Sequence, residues 1–239
     1  MARVVRIVGA IRESPLRVSI SMLPQQENYP LARRLAVEGL LRSNLQERAT
    51  CCGASYERGR DGEAKVGFRY LGCELSVSFP QGTVGTQNGQ APIPLREEIL
   101  ILHYLERASG VPLAERWASF SEIPGGAFYH SVFLARCKSP LLKFFGEGPE
   151  NLLSVSEEFR GEPLNLGDVG VRIQAFPFVP MALVLWRGDA EFPAEGSILF
   201  DASVSEYLPV EDTVILAETV VWKLIKAERI AHSKRRFEV

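Results

Sequence analysis

The side chains able to do chemistry crowd into one stretch of this chain. Residues 188–212 read GDAEFPAEGSILFDASVSEYLPVED, and seven of them are carboxylates. Two carboxylates sharing a site can act as general acid and base or hold a hard cation. The spacing narrows that choice. A calcium loop needs acidic or amide oxygens at alternate positions around a central Gly, a pattern absent here. For Asp189, Glu191, Glu206, Glu211 and Asp212 the plainer reading is a solvated turn around 188–191 and a helix N-terminus at 211–212, where acids favour the dipole. Glu195 and Asp201 differ because they bracket a strand centred on the apolar residues 198–200. Asp201 ends that strand where a carboxylate can accept the donors of the following ASVS turn, a structural role that competes with catalysis.

The second candidate is SEIPGGAFYHS at 121–131. Gly125 and Gly126 allow a tight turn or close backbone approach to a ligand, and the amides that open the next helix could cradle an anion. Neither G-x4-G-K-[ST] nor G-x-G-x2-G completes a phosphate loop, so a helix-entry turn is the plainer reading. Phe128 and Tyr129, with Phe133, Trp117 and Phe120, form either core or one wall of a flat-ligand pocket. His130 follows the turn, and its ordinary pKa suits proton transfer near neutrality. No G-x-S-x-G nucleophile accompanies it. The other two histidines fall inside a helix at His103 and in the basic segment KLIKAERIAHSKRR at His232.

These residues need elements to position them. Loose alternation over residues 3–22 predicts an N-terminal hairpin or arm, followed by the Pro-rich linker LPQQENYP. Residues 31–49 form an amphipathic helix with Leu31, Leu35, Leu41 and Leu45 on its apolar face, tolerating Gly39 and ending near Gly53. Alternation over 66–79 predicts a β-hairpin turning at Leu71 and Gly72, ended by Pro80 and a polar Gly-rich loop. The segment 94–110 opens with Pro94 and early acids and repeats Leu95, Ile99, Leu102 and Leu105, which predicts a helix. Helices at about 128–145 and 149–159, strands at 168–176, 180–186 and 196–201, and a helix at about 211–231 complete the order. Strands, helices, strands and a helix make an α+β fold, a mixed or antiparallel sheet of hairpins packed with about five helices. The expected partition is an arm and linker at 1–29, one domain at 30–228 and a basic tail at 229–239.

Composition excludes several classes. With 46% hydrophobic and 23% charged residues, the 239-residue chain can bury a sizeable core. Its 27 basic and 29 acidic residues leave no chain-wide field for nucleic acid. The apolar runs fall short of a bilayer span, and the first residues lack the apolar run of a signal peptide, so a cytoplasmic protein is expected. Four Cys, at 51, 52, 73 and 137, show no ligand spacing, so no metal site is expected and reduced thiols are the plainer reading.

The blocks LREEILILHYL, FSEIPGGAFYH, EPLNLGDVG and VPMALVLWRGDAEFPAEGSILFDASVSEYLPVED together resemble a bacterial and archaeal family of unknown function, DUF3786. The resemblance covers roughly residues 30–226, and Gly125, Gly126, Trp186, Glu195, Asp201, Tyr207 and Pro209 match its blocks. It implies an association with anaerobes and with metallocofactor or one-carbon metabolism, because some members look like fusions to a Cys-rich iron–sulfur module of the kind found on corrinoid proteins. It supplies no catalytic residues and names no cofactor.

The leading expectation is therefore a binding or accessory protein for a metallocofactor-dependent system using a corrinoid, a tetrapyrrole or an iron–sulfur centre. Its partner would be that cofactor or a cofactor protein. Its pocket would lie between the sheet and the PGGAFYH turn, with Gly125, Gly126, Phe128, Tyr129, Trp186 and Tyr207 as ligand-binding candidates. One alternative is a small-molecule transferase or hydrolase using Asp201 or Glu195 with His130 as acid and base. The other is a protein interaction module, marked by an exposed apolar patch.

Overall fold

The computed structural model describes residues 28–86 and 92–237. The hairpin expected at residues 3–22 lies outside them. The described residues form an α+β fold built on two antiparallel sheets. The first is a meander of β1 (Ser55–Arg58), β2 (Ala64–Tyr70), β3 (Cys73–Phe79) and β4 (Thr83–Thr86). The second, in the order β5-β9-β8-β7-β6, comprises β5 (Trp117–Ser119), β6 (Glu162–Pro163), β7 (Val169–Phe176), β8 (Val179–Trp186) and β9 (Glu195–Asp201).

Alternation shapes the first sheet as expected. Ala64, Val66, Phe68 and Tyr70 of β2 point inward, and Lys65 and Arg69 point out. The turn at Leu71 and Gly72 has positive φ at both residues, 46° and 80°, the geometry that matches strand twist in two-residue hairpins. A Leu there is unusual. It is held because its N–H donates to Ala175 O of β7 at 3.0 Å, which fastens the hairpin tip to the second sheet. In that sheet β8 is buried from Val179 through Leu185 on both faces, so it reads as a continuous apolar run without alternation.

The helix expected at 31–49 is two helices, α1 (Tyr29–Arg42) and α2 (Leu45–Cys51). Asn44 divides them: its Oδ1 accepts the N–H groups of Gln46 and Glu47 and caps α2. The face of α1 is also corrected. Ala36, Val37 and Leu40 are buried, whereas Leu31, Leu35 and Leu41 are exposed, Leu35 by 55%. The buried face carries small residues: Gly39 faces Glu106 of α3 (Leu95–Arg107), whose carboxylate lies 2.1 Å from where a Cβ would stand. The small face of α1 thus lets it approach α3 closely. Gly53, at φ 67°, closes α2 as expected, with Ala54 N–H donating to Ala49 O at 2.8 Å.

Helix α3 is buried almost all round: Ile99, Leu100, Ile101, Leu102, Tyr104 and Leu105 are inaccessible or nearly so. The predicted Ile99, Leu102 and Leu105 stripe is inside, while Leu95 is exposed. Tyr104 is the joint. Its ring stacks on Phe176 at 4.2 Å and 15°, and on Tyr207 at 6.1 Å. Its hydroxyl donates to Cys52 O at 2.9 Å and accepts Phe178 N–H at 3.3 Å.

The helix expected at 128–145 runs continuously as α4 (Gly126–Phe133), a π-helical stretch at Leu134–Lys138, and α5 (Ser139–Phe145). Pro140 has no N–H for the carbonyl of Arg136, four residues back, and the helix widens before it: Ser139 N–H donates to Leu134 O. Helix α6 (Glu150–Ser156) follows, and α7 (Val210–Phe237) closes the fold with Val214, Val221 and Leu224 inside as expected.

Tyr104→Phe removes a buried hydroxyl that bridges two backbone groups, so a loss of about 1–3 kcal/mol is expected in urea unfolding. Tyr104→Ala also leaves a cavity, and about 3–5 kcal/mol is expected. A Phe variant as stable as wild type would remove the hydroxyl from this account.

Candidate functional site

Glu195 and Asp201 sit at opposite ends of β9, six residues and so about 20 Å apart. Asp201 is buried, and its Oδ1 accepts Ala114 N–H at 2.8 Å, Ser203 N–H at 3.0 Å and Ser203 Oγ at 2.6 Å. Burial opposes its charge, but these donors outweigh it and hold the carboxyl below the usual range. It fixes the chain entering β5 and the turn leaving β9. Glu195 pairs with Lys138 Nζ at 2.6 Å, and that bond lowers its pKa. His130 is exposed on α4, and among the described residues no hydrogen bond or ion pair joins it to either carboxylate.

The ligand-binding candidates are likewise dispersed. Gly125 has φ 79°, and a Cβ on Gly126 would fall 1.8 Å from Phe120 O, so both serve the entry to α4. Phe128 is 91% exposed. Tyr129 Oη donates to Glu211 Oε1 at 2.6 Å. Trp186 is partly exposed beside Glu195 at the end of β8. Tyr207 is fully buried, bonded to Val111 O and stacked on Phe178 at 5.6 Å; it is a core residue.

The polar groups that do converge come from elsewhere. His103 Nδ1 lies 2.7 Å from Oδ2 of buried Asp212, joining α3 to the first turn of α7. Burial of the ring opposes its charge, but the bond and charge of Asp212 outweigh it, so His103 titrates above its ordinary value. Asp212 is therefore a buried partner and not only a helix-terminal acid. Six residues on, Glu218 takes both Arg96 of α3 and Arg136 of the π-helical stretch. Burial would raise the Glu218 pKa, and the two guanidiniums overcome it and lower it.

A cleft of about 370 Å³ opens between the first hairpin, the start of α3 and α7. Its walls are Leu71, Leu75, Ile93 and Phe159, and Cys73 also lines it. At its base is Glu97, only 9% exposed, whose Oε2 accepts Tyr70 Oη at 3.3 Å and meets Lys223 Nζ at 3.1 Å. Burial and the Glu97 charge push the Tyr70 phenol well above its ordinary pKa, so it stays a neutral donor. Lys226 lines the same cleft and has no carboxylate partner among the described residues. Two lysines against one carboxylate leave the cleft positive.

Sequence reasoning passed over this cleft, although one signal was present. Glu97 shares a helix face with Ile101 and Tyr104, four and seven residues on, and an acid on an apolar stripe is buried only with a partner. That partner, Lys223, is 126 residues away and closes on Glu97 only through the packing of α7.

The cysteines divide by depth. Burial pushes the Cys52 and Cys137 thiols up to about 12, so both are protonated core side chains at neutral pH. Among the described residues, no group of three or more His, Cys, Asp or Glu is arranged to hold a metal ion. No described helix is long and apolar enough to cross a membrane.

Fold and cleft define an α+β protein with a small, positively lined cleft. The chain belongs to the DUF3786 family: the family model, a domain of unknown function, matches residues 44–223. Neither a curated protein nor a solved structure matches the chain.

The His103–Asp212 contact has a pH signature. A raised folded-state pKa stabilises the fold fully below the unfolded value of about 6.5, and the gain is lost as pH rises through the folded value. His103→Gln should therefore be most destabilised relative to wild type at about pH 5.5 and less so at about pH 8.5. Urea melts at both pH values check this, and a pH-independent deficit contradicts it.

Proposed function

We propose that this protein is a binding or accessory protein that holds the acidic group of a largely apolar ligand in the cleft beneath α7. The carrying observation is the buried pair Glu97 and Tyr70, met by the partly exposed Lys223, in an apolar-walled cleft whose second lysine, Lys226, has no carboxylate partner among the described residues. An acidic group meets Lys226 and Lys223, while the Tyr70 hydroxyl stays bonded to Glu97 behind them. Leu71, Leu75, Ile93 and Phe159 take the apolar part.

The family resemblance supports placing that ligand in a metallocofactor-dependent system. Ligand sites run to roughly 300–1,000 Å³, and this cleft lies near the lower end. Its size suits a carboxylated side group of a tetrapyrrole or corrinoid, with the ring outside, better than a swallowed macrocycle. The wide separation of Glu195 and Asp201 gives no support to a shared acid–base site of those two residues.

Thermal melts with uroporphyrin, a corrinoid and a small aromatic carboxylate test the reading. Ligand at about 100 times its Kd adds about 2.7 kcal/mol of stability, so at least one carboxylated compound should raise Tm by several degrees. Lys226→Glu should remove that shift, and Arg34→Glu, on the exposed face of α1, should preserve it. No shift with any compound, or a shift indifferent to Lys226, would overturn the proposal.

A further inference from the structure

A second concavity, about 540 Å³, lies between α5 and α7, and it is a groove of different character. Trp222, Ile225 and Arg229 line it from α7 at helical spacings of three and four, so they form one stripe. Phe144 and Lys143 face them from α5, and the small side chains of Ala135 and Ser139 keep the floor low. Trp222 is 48% exposed despite sitting in the middle of a long helix. Arg229 is held over the Phe144 ring, 5.1 Å from its centroid. Neither Lys143 nor Arg229 has a carboxylate partner among the described residues, and no acidic residue lines the groove.

We propose that this groove docks an acidic amphipathic helix of a partner protein, with apolar anchors against Phe144 and Trp222 over a floor that includes the buried Ile225, and carboxylates on Lys143 and Arg229. Grooves between helices accept amphipathic helices through anchors at i, i+3 and i+7, and Trp and Arg are the side chains that most often dominate such contacts. Charge decides among the occupants. A second copy docked symmetrically would bring Lys143 and Arg229 against the same cations, a like-charge contact that opposes pairing. Residues 1–27 carry four arginines and two glutamates, so they too have the wrong sign. The segment that follows Arg229 in sequence, IAHSKRR, is basic as well. A nucleic acid would meet the cations but leave the apolar stripe uncovered.

The test uses the full chain and a synthetic 16-residue amphipathic helix with Leu at i, i+3, i+4 and i+7 and Glu flanking them. The same peptide with Lys for Glu is the control. Binding of the Glu peptide should be saturable and shift tryptophan emission to the blue. It should weaken at least tenfold in Trp222→Ala and in the double variant K143E/R229E, whose circular dichroism should match wild type because all three side chains are at the surface. The Lys peptide should not bind wild type and should bind K143E/R229E. Equal binding of both peptides, no saturable binding, or affinity unchanged by Trp222→Ala would overturn the proposal. So would displacement of the Glu peptide by a DNA duplex, or a wild-type dimer in light scattering that Trp222→Ala converts to monomer.

Discussion

Tyr104 is the point at which the two sheets are made to share one core. Each sheet has an apolar face to bury, and the two meet where Phe68 and Tyr70 of β2 pack on Phe176 of β7. Helix α3, buried nearly all round, brings Tyr104 to that contact, and its hydroxyl satisfies backbone groups from two directions, the end of α2 and the turn between β7 and β8. A hydroxyl in so dry a place is costly unless bonded, and here both its donor and acceptor roles are used. Around it Phe68, Phe176, Phe178 and Tyr207 form a continuous aromatic layer. The hairpin tip at Leu71 reaches that layer through Ala175, and so the walls of the cleft are set by the same joint.

Helix α7 then divides the surface. Part-buried ionic contacts fix its first half to α3 and to the π-helical stretch through Asp212 and Glu218. The register of α7 is therefore constrained before its second half begins. That register turns Lys223 and Lys226 to the cleft and Trp222, Ile225 and Arg229 to the groove. One helix is a wall of both.

Most of the element order was legible because periodicity carries it. The central hairpin, α3, the three long strands of the second sheet and α7 each have a pattern of their own. Face and register were less legible where small residues decide. Leu31, Leu35 and Leu41 outweigh Ala36 and Gly39 on any hydrophobic scale, yet Ala36, Val37 and Leu40 are the residues turned inward, with Gly39 against α3. The short strands β1, β4, β5 and β6 were missed because each is fixed by the neighbour it pairs with rather than by its own composition. The cleft was illegible for a related reason: Glu97, Tyr70 and Lys223 are far apart in sequence and meet only after α7 packs. The acid-rich stretch at 188–212 drew notice through density, but its members face different neighbours: Asp189 closes a turn on Glu191 and Phe192, Asp201 organises a strand end, and Asp212 holds His103.

The most direct measurement is a methyl-resolved NMR titration of the full chain with uroporphyrin, a corrinoid and a small aromatic carboxylate in turn, read on whichever gives the largest rise in Tm. The account predicts saturable shifts at the methyls of Leu71, Leu75 and Ile93, with Ile225 in the groove unmoved. Shifts centred on Ile225, or none at the three cleft residues, would contradict it.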